Sequence, residues 1–268
     1  MVLYRNLVFI LLAVFFAGIV WICLVDPSTV ASRIAAGLIT GSFVGAINTF
    51  ANYIHLRVSF FDKVASTLIE IGYELGHDLI DARRMNEELV SLSKREIITR
   101  YSNQSQQEQK VANLMREDYD RLVNSIDLNT FSCMFPSDKR VISALYDLNR
   151  LLREVQFMPT HYWTCRSFSS MSSKYSENEQ ATWNGDPNGF YDDFVQGSIY
   201  YLDIVESNLK RLGEVGESLS SSLKGTVSSE NRTHLLAVKE LSTEYLENKR
   251  FRNALKGDDE AAIDVENR

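Results

Sequence analysis

The chain has 268 residues, a formal net charge of −7, four prolines and 13 glycines. The acidic balance excludes generic binding of duplex nucleic acid through a phosphate-neutralising surface, and leaves room for a local basic pocket that takes a small anion. Few helix breakers and abundant Glu, Lys, Arg, Leu and Ser favour helices over sheets, so the expected fold class is all-α.

The first apolar run, Leu7 to Val25, carries no charge and is close to the ~20 residues that cross a bilayer core. A cleaved secretory signal is the alternative, with Arg5 as its basic flank. The run is longer than the usual ~7–15-residue apolar region of such signals, and Asp26-Pro27-Ser28-Thr29 follows it instead of an Ala-x-Ala site. A second apolar segment, residues 34–54, favours a hairpin occupying residues 1–57. Arg5, Arg57 and Lys63 flank the spans on one side, and the loop between them carries Arg33 with Asp26. That bias predicts both termini and the large domain in the cytoplasm, beneath a bacterial inner membrane. Tyr4, Trp21 and Tyr53 are candidate interfacial anchors.

In the second span Gly37, Gly41 and Gly45 recur every four residues, a doubled Gly-x-x-x-Gly pattern that lets helix backbones approach closely. Asn48, Asn52 and His55 continue the same face, and all six fall within an arc of roughly 80°. Two readings stand. In one, the glycines meet the first span and the amides bond across helices. In the other, several copies of the chain put this stripe around a central pore.

After the second span, Phe60, Phe61, Val64, Leu68, Ile71, Leu75 and Leu79 recur at helical spacing. They predict a stalk helix leaving the membrane and running to about Met85, with a continuation to Tyr101 (residues 58–101). Ser102–Glu108 is a polar break, and a helical cytoplasmic domain follows over residues 102–256. Its expected helices are Gln109–Ile126, Asp138–Gln156 behind Pro136 and the cap Ser137, Phe190–Leu212, and Glu230–Leu255. The apolar face of the second is expected to hold Val141, Ile142, Leu145, Leu148, Leu152 and Val155. Residues 257–268 read as an acidic, disordered tail.

Cys23, Cys133 and Cys165 show no Cys-x-x-Cys spacing, which argues against zinc or a disulfide framework. A reducing cytosol disfavours a Cys133–Cys165 bridge. His55, His77, His161 and His234 pair with no second ligand at metal spacing, and no phosphate loop, Gly-x-Ser-x-Gly or His-Glu-x-x-His motif occurs. No catalytic residue, metal or cofactor is expected. The segment His161–Lys174 is the most ligand-like, a loop interleaving aromatics, hydroxyls and cations. Stacking plus charge points to His161, Tyr162, Trp163, Arg166 and Lys174 as ligand residues, joined by Arg150 and Arg153 one turn apart on the preceding helix, and Trp183 adds another stacking face. The alternative is a loop whose Tyr162, Trp163 and Phe168 plug the core.

A two-span hairpin with a Gly37/Gly41/Gly45, Asn48, Asn52 second helix running into a cytoplasmic helical domain resembles the two-transmembrane effectors of bacterial anti-phage systems. The Hailong-type membrane effector is one such type. The resemblance implies an oligomeric membrane pore controlled by a nucleotide or short oligonucleotide signal. It transfers no ligand residues. A non-conducting, membrane-anchored scaffold that recruits a cytoplasmic partner is the second reading, and a membrane-bound enzyme a weaker third.

Overall fold

The computed structural model describes residues 2–24, 30–101, 105–130, 139–167, 188–223 and 229–247. Within them the chain is helical without a strand, the all-α class expected from composition. Besides a short helical stretch at residues 128–130, the helices are α1 Val2–Leu24, α2 Val30–Ser91, α3 Lys94–Tyr101, α4 Ser105–Ser125, α5 Lys139–Gln156, α6 Met158–Arg166, α7 Asn188–Ser222 and α8 Ser229–Leu246. The helical part of α1 and the first half of α2 are each long and apolar enough to cross a membrane.

The 62-residue α2 is the axis of the molecule, roughly 90 Å long at helical rise. Its first part packs on α1 through a seam of Ser32, Ala35, Ile39, Ser42, Ala46, Thr49 and Tyr53, alternating three and four residues apart. That alternation is the left-handed seam of paired helices. The closest approach is made by Gly18 of α1, where a Cβ would sit 2.6 Å from Ile39 Cγ1. Hydroxyls on this half of α2 bond to their own helix: Thr40 donates to the Ala36 carbonyl at 3.0 Å, and Thr49 to the Gly45 carbonyl at 2.7 Å. Their polar atoms therefore need no outside partner.

The second part of α2 is the central rod of a helical bundle. Phe61, Ala65, Leu68, Ile71, Leu75 and Leu79 are fully buried against α4, α7 and α8, with α5 and α6 closing the far side. The expected stalk is thus a core helix, and the expected division between a stalk and a separate domain does not follow the core. The rod also stops early. Instead of continuing to Tyr101, α2 ends at Ser91, and α3 starts afresh from a capping box. The Ser93 backbone N–H donates to Glu96 Oε2 at 2.8 Å and the Glu96 N–H to Ser93 Oγ at 3.4 Å. This break folds Ile97 and Tyr101 back onto Met85, Leu89 and Phe194.

Two further expectations change. Residues 161–166, the start of the expected loop His161–Lys174, belong instead to α6, which opens at Met158 with Pro159 in its first turn, where the missing N–H costs nothing. Ile142, expected on the core face of α5, is exposed; Ala144 and Leu151 are buried there beside Val141, Leu148, Leu152 and Val155. Helix α7 runs on past Leu212 to Ser222. The α8 helix is fixed to α2 at both ends. Buried Asn231 donates to the Val58 carbonyl at 3.3 Å and to Asp62 Oδ1. Arg83 donates to the last carbonyls, Tyr245 at 3.2 Å and Leu246 at 3.3 Å, while pairing with Glu206 of α7 at 2.6 Å. Cys133, Pro136, Ser137 and the tail lie outside the described residues.

Close packing at Gly76 gives a test. A Cβ there would meet the Tyr245 ring at 2.3 Å, whereas nothing lies within 4 Å of one at Gly37. Gly76→Leu is expected to lower stability by about 1–3 kcal/mol through overpacking, and Gly37→Leu not to lower it. Urea unfolding of the purified full chain, followed by circular dichroism, reads both.

Candidate functional site

The glycine–asparagine stripe of α2 lies roughly 130° round the helix from the seam that α1 covers. Of its three glycines only Gly45 lies beside α1, where an added Cβ would sit 3.5 Å from Leu11 Cδ1. Gly37 and Gly41 open onto empty space, and Asn48, Asn52 and His55 are exposed. The amides of Asn48 and Asn52 have no hydrogen-bond partner among the described residues. Beside the outer end of this face runs an apolar groove of about 470 Å³, bordered by Gly18 and Trp21 of α1 and by Ile34 and Leu38 of α2.

The six described residues among the ligand positions expected from sequence do not line one crevice. Tyr162 and Arg166, one turn apart on α6, reach a crevice of about 320 Å³ between α2, α3, α4 and α6. Arg150 is exposed and pairs with Glu154 at 3.2 Å, one turn along α5. Arg153 is also exposed, in the last turn of α5, where a cation complements the helix dipole. His161 borders a different hollow with Tyr200, Asp203 and Arg211, and burial holds its imidazole below the usual range. Trp163 is half-buried on α6. Lys174, Phe168 and Trp183 lie outside the described residues.

Most of the crevice comes from residues that the sequence reading did not single out. Asp78, Asp81, Met85 and Glu88 rise along one side of α2 at three- and four-residue spacing, with Arg84 beside them, and Arg100 and Tyr101 of α3 close one end. The spacing of these side chains is visible in the sequence, but nothing in it marks what they face. Arg166 is half-buried at the wall. Its Nε and one terminal nitrogen donate to Met85 Sδ at 3.0 and 2.7 Å, and its guanidinium lies 5.0 Å from the Tyr162 ring centre and 5.4 Å from that of Tyr201. Among the described residues no carboxylate forms an ion pair with it. A thioether is a weak acceptor, so a strong five-donor cation faces the crevice with its hydrogen-bonding capacity largely unused. The Tyr201 hydroxyl is buried without a hydrogen-bond partner.

Asp78 carries the strongest electrostatic perturbation in the crevice. Its Oδ2 accepts a hydrogen bond from the Tyr119 hydroxyl at 2.6 Å. Burial pushes the carboxyl up to about 7 against the opposing pull of the Tyr119 hydrogen bond and the Arg166 charge, and neighbouring Glu74 and Asp81 add to the rise. Burial likewise raises Tyr119 and Tyr201 well above the ordinary phenol range, and Tyr101, bonded to Glu88 at 2.8 Å, is pushed up to about 12. Among the described residues no three His, Cys, Asp or Glu side chains gather as a metal cluster.

Compared with known proteins, the chain matches no family model, no curated protein and no solved structure.

The raised Asp78 carboxyl sets a sign for stability. Between about 3.9, where an unfolded aspartate titrates, and about 7, the folded chain holds more protons than the unfolded one. The contribution of Asp78 to stability is therefore fully present below that window, is lost as pH rises through it and stays lost above it. The melting temperature of the purified chain is expected to drop between pH 5 and pH 8, and Asp78→Asn to flatten that drop. Melting curves across this range on both proteins check it.

Proposed function

We propose that the chain is a non-enzymatic, oligomeric membrane effector of anti-phage defence that forms an ion channel or pore. In this reading α1 and the first half of α2 cross a bacterial inner membrane as a hairpin, with both termini and the bundle in the cytoplasm. Copies of α2 bring Gly37, Gly41, Gly45, Asn48, Asn52 and His55 together around a polar path. The observation that carries the reading is the position of the Asn48 and Asn52 amides, on a face of an apolar helix that α1 leaves uncovered. Hydrocarbon offers an amide no hydrogen bond, so such groups face protein or water. One hairpin supplies neither, and a ring of copies supplies both.

The gating ligand in this reading is an anion, a nucleotide or short oligonucleotide, held in the cytoplasmic crevice by Arg166 with Tyr162 as a stacking face. Helix α2 runs without a break from the amides to Asp78 and so links the two places mechanically. A ligand shifts the gate only through different affinity for the open and closed forms.

A second reading, a non-conducting scaffold, draws on the outer face of α5. Ile142 and Tyr146 are 46% and 70% exposed there, beside Arg150 and Arg153, and Phe157 in the turn that follows is 59% exposed, a mixture suited to a protein partner. The two readings separate in induced bacteria followed by membrane-potential and dye-entry assays. The channel predicts depolarisation that Gly41→Leu and Asn48→Leu each abolish at equal expression. Full depolarisation in both variants sinks it. The scaffold predicts that function survives replacement of residues 1–57 by an unrelated two-span anchor.

A further inference from the structure

We propose that the crevice takes its anion together with a proton: an oxyanion group is held by Arg166, with Arg84 and Arg100 at the mouth, while Asp78 is in its neutral form. The inference rests on reading the crevice as a ligand site and adds the chemistry by which it selects.

The geometry sets two demands against each other. Arg166 offers its donors to a thioether and two ring faces, so an incoming oxyanion replaces only weak partners. Asp78 lines the same crevice. An ionised carboxylate there repels the anion at short range. Every element around Asp78 contributes to this balance. Glu74 and Asp81 on α2 add negative charge, Tyr119 of α4 donates a hydrogen bond, and Arg166 of α6 is the cation nearby. Tyr162 of α6 and Tyr201 of α7 are neutral phenols whose ionisation burial opposes. At the α3 end, Glu88 is already engaged by Arg100 at 3.5 Å and by the Tyr101 hydroxyl. Asp78 is thus the group in the crevice whose charge is removed most cheaply near neutral pH. Anion entry draws one proton from solvent onto its free Oδ1, Oδ2 keeping the Tyr119 hydrogen bond, and the proton returns to solvent when the anion leaves.

Sulfate is the probe, because it stays fully ionised across the range and resembles a phosphate group. It is titrated against the full chain in detergent at pH 6 and pH 8, at ionic strength held with chloride, and binding is read from the shift in melting temperature. Wild-type affinity is expected to fall about tenfold from pH 6 to pH 8, the change in the neutral fraction of a group that titrates midway. Asp78→Asn is expected to hold the pH 6 affinity at both values, and Arg166→Gln to lose binding at both while keeping its helical circular dichroism. Independently of any variant, adding sulfate to weakly buffered wild-type protein at pH 7 is expected to take up about half a proton per chain. A wild-type affinity that is flat with pH, no proton uptake, or an equal fall in Asp78→Asn overturns the coupling and leaves the anion site standing. Sulfate that has no effect on wild type, or acts equally on Arg166→Gln, overturns the anion site as well.

Discussion

One unbroken helix follows two packing rules. Over its first half α2 meets α1 through Ser32, Ala35, Ser42 and Ala46, small residues suited to a setting where hydrocarbon gives no hydrophobic reward for burial. From Phe61 onward the same helix buries large side chains in a bundle driven by that reward, each worth about 1.5–3 kcal/mol. The change of rule falls within two turns, around Arg57, and no proline or glycine marks it. Every other element is placed by this continuity. Helix α1 can lie only along the first half, and α4 to α8 gather only around the second.

Continuity also explains why the glycine triplet is left open. Close approach within the hairpin is made by Gly18, whose missing side chain admits Ile39, so the pairing of α1 and α2 has no use for Gly37 or Gly41. A helix that keeps two glycines and two amides on an uncovered face is ill-suited to stand alone in lipid. In the proposed pore, neighbouring copies and the water between them meet the cost of those amides.

Much of this was legible in the sequence where a single helix decides the outcome. The uncharged run from Leu7, the three-four spacing from Phe60 to Leu79 and the buried face of α5 are properties of local periodicity. The end of α2 was legible too, since Ser93-x-x-Glu96 is a capping box, but the apolar spacing that runs on past it masks the break. The start of α6 was misleading for a related reason: Pro159 ends many helices and opens others, and position alone does not separate the cases. The crevice was out of reach. Tyr162 and Arg166 were picked out for their type, yet Asp78, Met85 and Tyr119 join them only because α3 folds back and α4 and α6 pack beside α2. Sequence spacing within one helix does not register a meeting of four.

The two clasps on α8 have a mechanical consequence. With Asn231 fixed to Val58 and Asp62 at one end, and Arg83 gripping the last carbonyls at the other, α8 is a splint along the second half of α2. The rod between Val58 and Arg83 resists bending, because any curvature would have to shear both clasps. A displacement of the bundle would then concentrate as rotation in the unsplinted turn on the N-terminal side of Val58. The span beyond that turn is a lever arm of roughly 40 Å, so a tilt of only about 5° moves its far end by roughly 3–4 Å.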